Sequence, residues 1–343
     1  MKSGILLLAK QRGLTSFSSL WAVKRALETK KIGHTGTLDT FADGLLVVLS
    51  GKMTRLVSHI TDFDKTYDAL IRFGTETDTL DPEGAVIGSA PLPDEKRFRE
   101  AVSGFTGGQL QFPPAYSALR VNGRRSSDMV RSGEQVELCP RPVTIHSIDI
   151  LSFSGEYARI RVSCSKGTYI RSLARDIALA CGSRGHLAAL RRTSVGPFRL
   201  EDAVGAGLLP PADVVVGSAS EEISGEEISP HQIRAGLLRF TPELALRCGF
   251  EPALLDPSRR SQFRNGQKIL PQWFSPLCGD SWGNSDLSES SVPGKAAGLA
   301  LRSLAVFSAE DGSLCFAGIV HHRQGGPSLS AGFDYGFVLG EEE

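Results

Sequence analysis

Between Gly33 and Leu49 the chain reads Gly-His-Thr-Gly-Thr-Leu-Asp-Thr-Phe-Ala-Asp-Gly-Leu-Leu-Val-Val-Leu, a glycine-rich polar turn that runs directly into an apolar stretch. The apolar run Leu45 to Leu49 demands burial, either as a core strand or as the start of a buried helix, and periodicity does not choose between them. The turn ahead of it belongs at the edge of that core. Gly33 and Gly36 let the backbone adopt positive φ or approach a ligand closely. Asp39 then stands as a single acid at the rim, with His34, Thr35 and Thr37 beside it. An ordinary polar connection before a strand has the same composition, so the pattern alone leaves a structural and a chemical reading open.

With 343 residues the chain is long enough for one large domain and a smaller one. Its 41% hydrophobic and 22% charged content is that of an ordinary globular protein. No apolar run approaches the ~18 residues that cross a bilayer. The opening Ile5 to Ala9 is interrupted too early by Lys10, Gln11 and Arg12 to serve as a signal peptide, so the sequence reads as cytosolic. Six cysteines lie far apart without a C-x-x-C pair, which supports neither a zinc site nor a disulfide framework and predicts reduced, mostly buried thiols. The zero net charge conceals two halves. Residues 1–200 hold 28 of the 38 Lys and Arg but 19 of the 38 Asp and Glu, and the remainder of the chain is acidic to the same extent. A basic half of this kind suits a polyanion, though solvated surface charge produces it as well.

The pattern along the chain predicts a strand over Ile5 to Ala9, then a helix capped by Thr15 or Ser16 and running to Leu27. Phe17, Leu20 and Leu27 are expected on its inner face, with Trp21 and Val23 at the margins. Tyr67, Ala69, Ile71 and Phe73 alternate as in a strand, and residues 74–84 read as a polar loop. Asp94 is placed to cap a helix with Phe98, Ala101 and Val102 inward. From Pro113 to Pro142 the chain is irregular and basic, carrying Arg120, Arg124, Arg125, Arg131 and Arg141, and a long insertion of this sort is more often functional than idle. A second alternation, with Ala158, Ile160, Val162 and Cys164 to one side, ends in Ser165-Lys166-Gly167-Thr168-Tyr169 and a helix stopped by Gly182. Arg171 and Arg175, four residues apart, share a face of that helix, toward an anion or toward solvent. Residues 210–230 have linker composition, 281–293 form a serine-rich loop, and the rest reads as a small β-rich domain.

Two other patterns carry no chemistry of their own. Ser50-Gly51-Lys52-Met53-Thr54 lacks the upstream glycine and the adjoining Ser or Thr of a phosphate loop. The carboxylate pairs Asp62/Asp64 and Asp78/Asp81 lack the ordered spacing of a calcium loop and read as solvated loop residues.

Four segments together resemble the TruB family of tRNA pseudouridine synthases. They are Gly33 to Asp39; Asp64-Lys65-Thr66-Tyr67 with Gly74 and Thr77-Asp78-Thr79; Pro113-Pro114-Ala115-Tyr116-Ser117-Ala118-Leu119; and Cys164 to Arg171 followed by Leu190-Arg191-Arg192. They occur in the family's order across residues 4–200. The family's usual Asp-Lys-Pro is here Ala9-Lys10-Gln11, and its usual Pro-Leu-Ala-Thr-Gly is Thr40-Phe41-Ala42-Asp43-Gly44.

The resemblance implies an α+β pseudouridine-synthase fold with a mixed, largely antiparallel sheet over residues 1–240. A small β-rich, PUA-like domain is expected over 241–343, with a thumb-like insertion near 113–142. It implies isomerisation of a tRNA T-loop uridine, a reaction without a redox step, so no cofactor and no metal are expected. Asp39 matches the catalytic aspartate, Arg171 the arginine that orients and offsets it, and Tyr67 the tyrosine that stacks on the target base. Tyr169 and Leu190 match walls of the uracil pocket, His34 a residue that wedges into the loop, and Lys10 a lysine that supports the site, with an RNA phosphate contact as the lesser alternative. The expected partner is the T-arm of tRNA, recognised by folded shape and a flipped base, with phosphate contacts from the insertion's arginines. The chain is expected to act as a monomer without an obligate protein partner. Two rivals stay open: an RNA-binding or tRNA-folding protein in which catalysis is secondary, and a pseudouridine synthase acting on another RNA.

Overall fold

The computed structural model describes residues 2–210, 227–277, 301–310, 313–323 and 332–339. The chain divides into two compact units, one formed essentially by residues 6–237 and the other by 238–343 together with the short segments Ser3–Ile5 and Gly51–Arg55.

The first unit is built on a mixed sheet whose main strands lie in the order Gly4–Lys10, Asp43–Ser50, Gly185–Val195, Lys65–Phe73, Tyr157–Cys164, Arg141–Phe153, Gly107–Gln111. The ambiguous apolar run after the glycine turn is a strand, with all eight residues from Asp43 to Ser50 buried. A run enclosed on both faces needs no alternation. It pairs in parallel with Gly185–Val195, setting Arg191 opposite Asp43 and Arg192 opposite Gly44. The antiparallel ladders on the other side set Tyr67 between Arg192 and Val162. Alternation holds where it was clearest: Ala158, Ile160, Val162 and Cys164 are at most 1% exposed and join one core with Tyr67, Ala69, Leu173, Ile177 and Leu190.

Thr15 caps the first helix, Ser16–Leu27, by accepting from the Ser18 amide. Its inner face is Leu20, Val23, Ala26 and Leu27, packed with Leu6, Leu8, Leu46, Val48 and Ile233. Phe17, expected inward, instead lies outward, 60% exposed, beside Trp21 at 58%. Val23 and Ala26 carry the buried stripe past it, so the apolar count on the helix exceeds what the core can take. Asp94 caps Glu95–Ser103 with Phe98 and Val102 buried. Ile170–Ala180 ends at Gly182, whose φ of +71° fits a helix terminus.

Residues 74–84, read as a plain loop, contain the strand Thr75–Thr77 paired with Val86–Ser89. Behind it the chain turns through Leu80 at positive φ and buries Asp81. The basic insertion holds a short hairpin, Arg120–Val121 with Arg124–Arg125, and the helix Ser126–Arg131.

The second unit is a five-stranded sheet ordered Phe274–Pro276, Glu251–Leu255, Leu301–Glu310, Ser313–Arg323, Gly332–Val338. Its pairings are antiparallel except that between Glu251–Leu255 and Leu301–Glu310. Phe263, Trp273, Phe274, Leu304 and Val306 form its core. The expected serine-rich loop and most of the linker lie outside the described residues. Among the described residues no two cysteines are joined in a disulfide, and Cys164, Cys181 and Cys248 are buried while Cys139 and Cys315 are exposed. No described helix is long and apolar enough to cross a membrane.

Candidate active site

The glycine turn is held by hydrogen bonds from four sides. The Thr35 amide donates to the Val47 carbonyl at 3.1 Å, and Gly36 takes a φ of +102° that favours glycine. Ser16 receives the Leu38 amide at 2.8 Å and returns its hydroxyl to the Leu38 carbonyl. Arg192, 1% exposed, donates from Nη2 to the Gly36 carbonyl at 3.1 Å and from Nε to the Leu45 carbonyl at 2.8 Å. Lys10, also 1% exposed, sends its ammonium to the carbonyls of Ala42 at 2.5 Å, Gln11 at 3.2 Å and Thr40 at 3.4 Å. The turn thus keeps its shape without the proline that usually follows the aspartate, because buried cations satisfy its carbonyls. Burial pulls the Lys10 ammonium down to about 8, against the raising influence of Asp43 and Asp39.

Arg171 enters from the first turn of the Ile170–Ala180 helix and grips Asp39 with both prongs: Nε is 2.9 Å from Oδ2 and Nη2 is 3.1 Å from Oδ1. Its Nη1 donates to the Thr79 carbonyl at 2.8 Å and lies 3.4 Å from an Asp81 oxygen, while Nη2 also reaches the Tyr116 carbonyl at 2.9 Å. Every prong of the guanidinium is therefore occupied by protein. Asp81 is fixed in turn by the Thr79 hydroxyl at 2.6 Å and by the Glu83 amide. Burial raises the Asp39 carboxyl above the usual range; the Arg171 charge opposes this and the neighbouring Asp81 adds to it. The Asp39 side chain retains 37% exposure, toward the cleft.

That cleft, about 1290 Å³ in volume, brings together Asp39, His34, Tyr67, Tyr169, Leu190 and Arg171 from segments far apart in sequence. Tyr67 is 9% exposed, on the cleft wall, and its hydroxyl is pushed up by burial, with Arg192 opposing, so it stays a neutral phenol at pH 7. Tyr169 is placed by Gln111, whose side-chain amide brackets the Tyr169 backbone at 2.8 and 3.1 Å. His34 is pulled down chiefly by burial and then by the Arg192 charge, which keeps its ring neutral. Arg125, Arg131, Arg141 and Lys166 also line the cleft. Arg124 is paired with Glu134 and Arg120 with the Gly123 carbonyl instead.

Lys10, expected to support the site with an RNA phosphate contact as the lesser alternative, lies behind the turn with its ammonium on protein carbonyls, so the phosphate contact does not fit. Arg171 and Arg175 do not face a common external anion: Arg171 holds Asp39, and Arg175 holds Asp176 and the Phe112 carbonyl. Sequence reasoning missed Asp81, Arg192, Ser16 and Gln111. Asp81 and Arg192 stood inside or next to quoted motif segments, but nothing local marks which carboxylate or guanidinium will be buried. Of the remaining loop carboxylates, Asp62 meets Lys166, Asp64 meets His146 and Asp78 accepts from the Ala85 amide.

The geometry is that of a cleft with one ionisable carboxylate held by a buried arginine, flanked by two tyrosines and a leucine. Comparison with known proteins bears on the family and the fold. Residues 24–170 match the family model described as TruB family pseudouridylate synthase, N-terminal domain, and residues 171–209 match tRNA pseudouridylate synthase B C-terminal domain. A tRNA pseudouridine synthase B of Treponema denticola is 44% identical over 306 residues, covering 80% of this chain and 86% of that protein. One from Aromatoleum aromaticum is 44% identical over 259 residues, 72% of this chain and 82% of that protein. Among solved structures, a Cbf5-Nop10-Gar1 complex aligns over 98% of this chain and 84% of that one with a TM-score of 0.61 at 22% identity, a likeness of fold. The motifs, the fold and these relatives place the chain in the TruB family of pseudouridylate synthases.

Proposed function

We propose that the chain isomerises the T-loop uridine of tRNA, position 55, to pseudouridine, acting through Asp39 on a base turned out of the loop. The observation that carries this reading is the bidentate Arg171–Asp39 pair at the floor of a cleft walled by Tyr67, Tyr169 and Leu190. Flat apolar walls suit a pyrimidine removed from its stack, and the fork of Arg171 leaves the carboxylate aimed but still reachable.

The reaction breaks the bond between uracil N1 and ribose C1′, turns the base, and joins C5 to C1′. The C5 proton is then lost and N1 gains one, so atoms and electrons balance within the substrate and no external oxidant or reductant enters. Asp39, its carboxyl raised by burial and held down by the Arg171 charge, is the nucleophile toward the nucleotide. Tyr67, as a neutral phenol beneath the base, supplies a stacking surface and a hydroxyl. His34, neutral and next to the turn, takes the space that the base vacates in the loop. The basic wall of Arg125, Arg131, Arg141 and Lys166 suits phosphate contacts that position the RNA without reading its sequence.

The test is to incubate the protein with an unmodified tRNA transcript and map pseudouridine along it. Modification confined to the T-loop supports the reading. Modification elsewhere only, or none, would overturn it.

A further inference from the structure

The first helix carries an aromatic pair that its core does not use. Phe17 and Trp21, one turn apart, are 60% and 58% exposed, and their rings meet edge to face at 6.4 Å. The Lys24 ammonium, one turn further on, lies 4.7 Å from the Phe17 ring centre and 5.4 Å from that of Trp21. Exposed aromatics standing singly need no explanation. Two in contact, with a cation beside both, form an exposed surface that combines aromatic rings with positive charge.

Position gives this surface a direction. Phe17 also lines the Asp39 cleft, together with Thr15 and Ser16. Ser16, its neighbour, is the residue that holds Leu38 next to Asp39. The pair is therefore continuous with the cleft and leads outward from it along the helix. Helix residues Ser16–Leu27 contain no acid, and Lys24 and Arg25 stand in its last turn. An electropositive helix with an exposed aromatic pair suits an unpaired base and the phosphate joined to it.

We propose that Phe17 and Trp21 form a stacking platform for an unpaired nucleotide of the RNA loop adjoining the target uridine, with Lys24 facing its phosphate. This extends the uridine-isomerisation reading and rests on it. The platform holds the strand on one side of the flipped base, while the basic insertion faces it from another part of the cleft wall.

The experiment uses the full chain and an RNA stem–loop bearing the target uridine, intact or with an abasic site at each loop position flanking that uridine in turn. Binding is followed by retention of end-labelled RNA on filters, and product formation is measured under single-turnover conditions. Trp21→Ala should weaken binding of the intact RNA by about tenfold, in line with the loss of one base–aromatic stack, with the rate at saturating RNA unchanged. Trp21→Phe should restore most of the affinity. With one of the abasic RNAs, wild type and Trp21→Ala should bind alike, which identifies the stacked position. Equal affinity of Trp21→Ala and wild type for the intact RNA would overturn the platform even if pseudouridine forms normally. Absence of pseudouridine in the wild type would instead overturn the isomerase reading. A concentration-dependent dimer that Trp21→Ala abolishes, with RNA binding unchanged, would assign the face to a second copy of the chain.

Discussion

Arg171 and Asp39 meet through two nearly parallel contacts, Nε to Oδ2 at 2.9 Å and Nη2 to Oδ1 at 3.1 Å, with the arginine 6% exposed and the aspartate 37%. The difference in exposure defines the division of labour. The guanidinium is a fixed part of the interior, anchored by Asp81, Thr79 and Tyr116, and the carboxylate is the part of the pair that a substrate can reach.

Asp39→Asn should therefore abolish pseudouridine formation, by about a thousandfold or more, while RNA affinity changes little, because the cleft walls and basic rim remain. A tritium-release assay alongside filter binding measures both. Turnover near that of the wild type would refute the nucleophile assignment. Retained tRNA-dependent growth in a strain carrying this variant would favour the tRNA-folding rival.

Arg171→Lys removes the fork while keeping the charge, and a lysine cannot hold both oxygens of Asp39 and also meet Asp81. Turnover should fall roughly 10- to 100-fold with the fold intact. The Arg171 charge holds the Asp39 carboxyl down against burial. Weakening that contact raises the carboxyl further, so the acid limb of the pH–rate profile should move to higher pH. Arg171→Met leaves two carboxylates facing each other in the interior and should cost about 3 kcal/mol of stability, read from urea unfolding.

Gly44→Ala should be among the most damaging single-methyl substitutions in the chain. Gly44 has a φ of +111°, and an added Cβ would lie 2.6 Å from the Arg192 amide nitrogen, against backbone that cannot move without separating the parallel strands. Strain at positive φ together with the clash should cost at least about 3 kcal/mol. A melting curve within a few degrees of wild type would contradict the close approach of these strands.

Stability should rise as pH climbs from about 8 toward 9. Burial depresses Lys10 and Lys65 from 10.5 to about 8. In that window the unfolded lysines hold protons that the folded ones have released, so folding gains as pH increases. The rise should be on the order of 1 kcal/mol. Above pH 9 the trend reverses, because Cys164 and Cys248 are pushed up to about 12 and Cys181 to about 11, and the unfolded thiols ionise first. Urea midpoints at pH 7.5, 9 and 10.5 check the curve, and Lys10→Met should remove about half of the rise.

RNA affinity should fall steeply with salt, since each phosphate neutralised by the basic residues releases condensed counterions, with a slope of about −0.7 to −0.9 per phosphate. A flat response from 50 to 200 mM would remove the electrostatic argument drawn from the basic first 200 residues.

Much of the site was legible in the chain. The glycine turn, its acid and the apolar strand behind it are a local pattern, and backbone freedom at Gly36 and burial of Leu45 to Leu49 follow from residue type. Motif resemblance then marked Tyr67, Tyr169, Arg171 and Leu190, which the fold gathers around one cleft. What sequence could not assign were the contacts made by long, charged side chains. Asp81 looks like a solvated loop residue in a linear reading, the partners of Lys10 and Arg192 are unmarked, and Phe17 looks like core. Sequence by itself determined most of the long strands and helices, because periodicity and glycine placement act within a few residues, but not the strand Thr75–Thr77 or the choice of strand over helix for Leu45 to Leu49. Only tertiary structure decided which charges are enclosed and which ring is left outside. That choice depends on the parallel pairing that sets Arg192 opposite Gly44, between residues more than a hundred positions apart, and on the supply of carbonyl partners beneath the turn, which for Lys10 come from about thirty positions away.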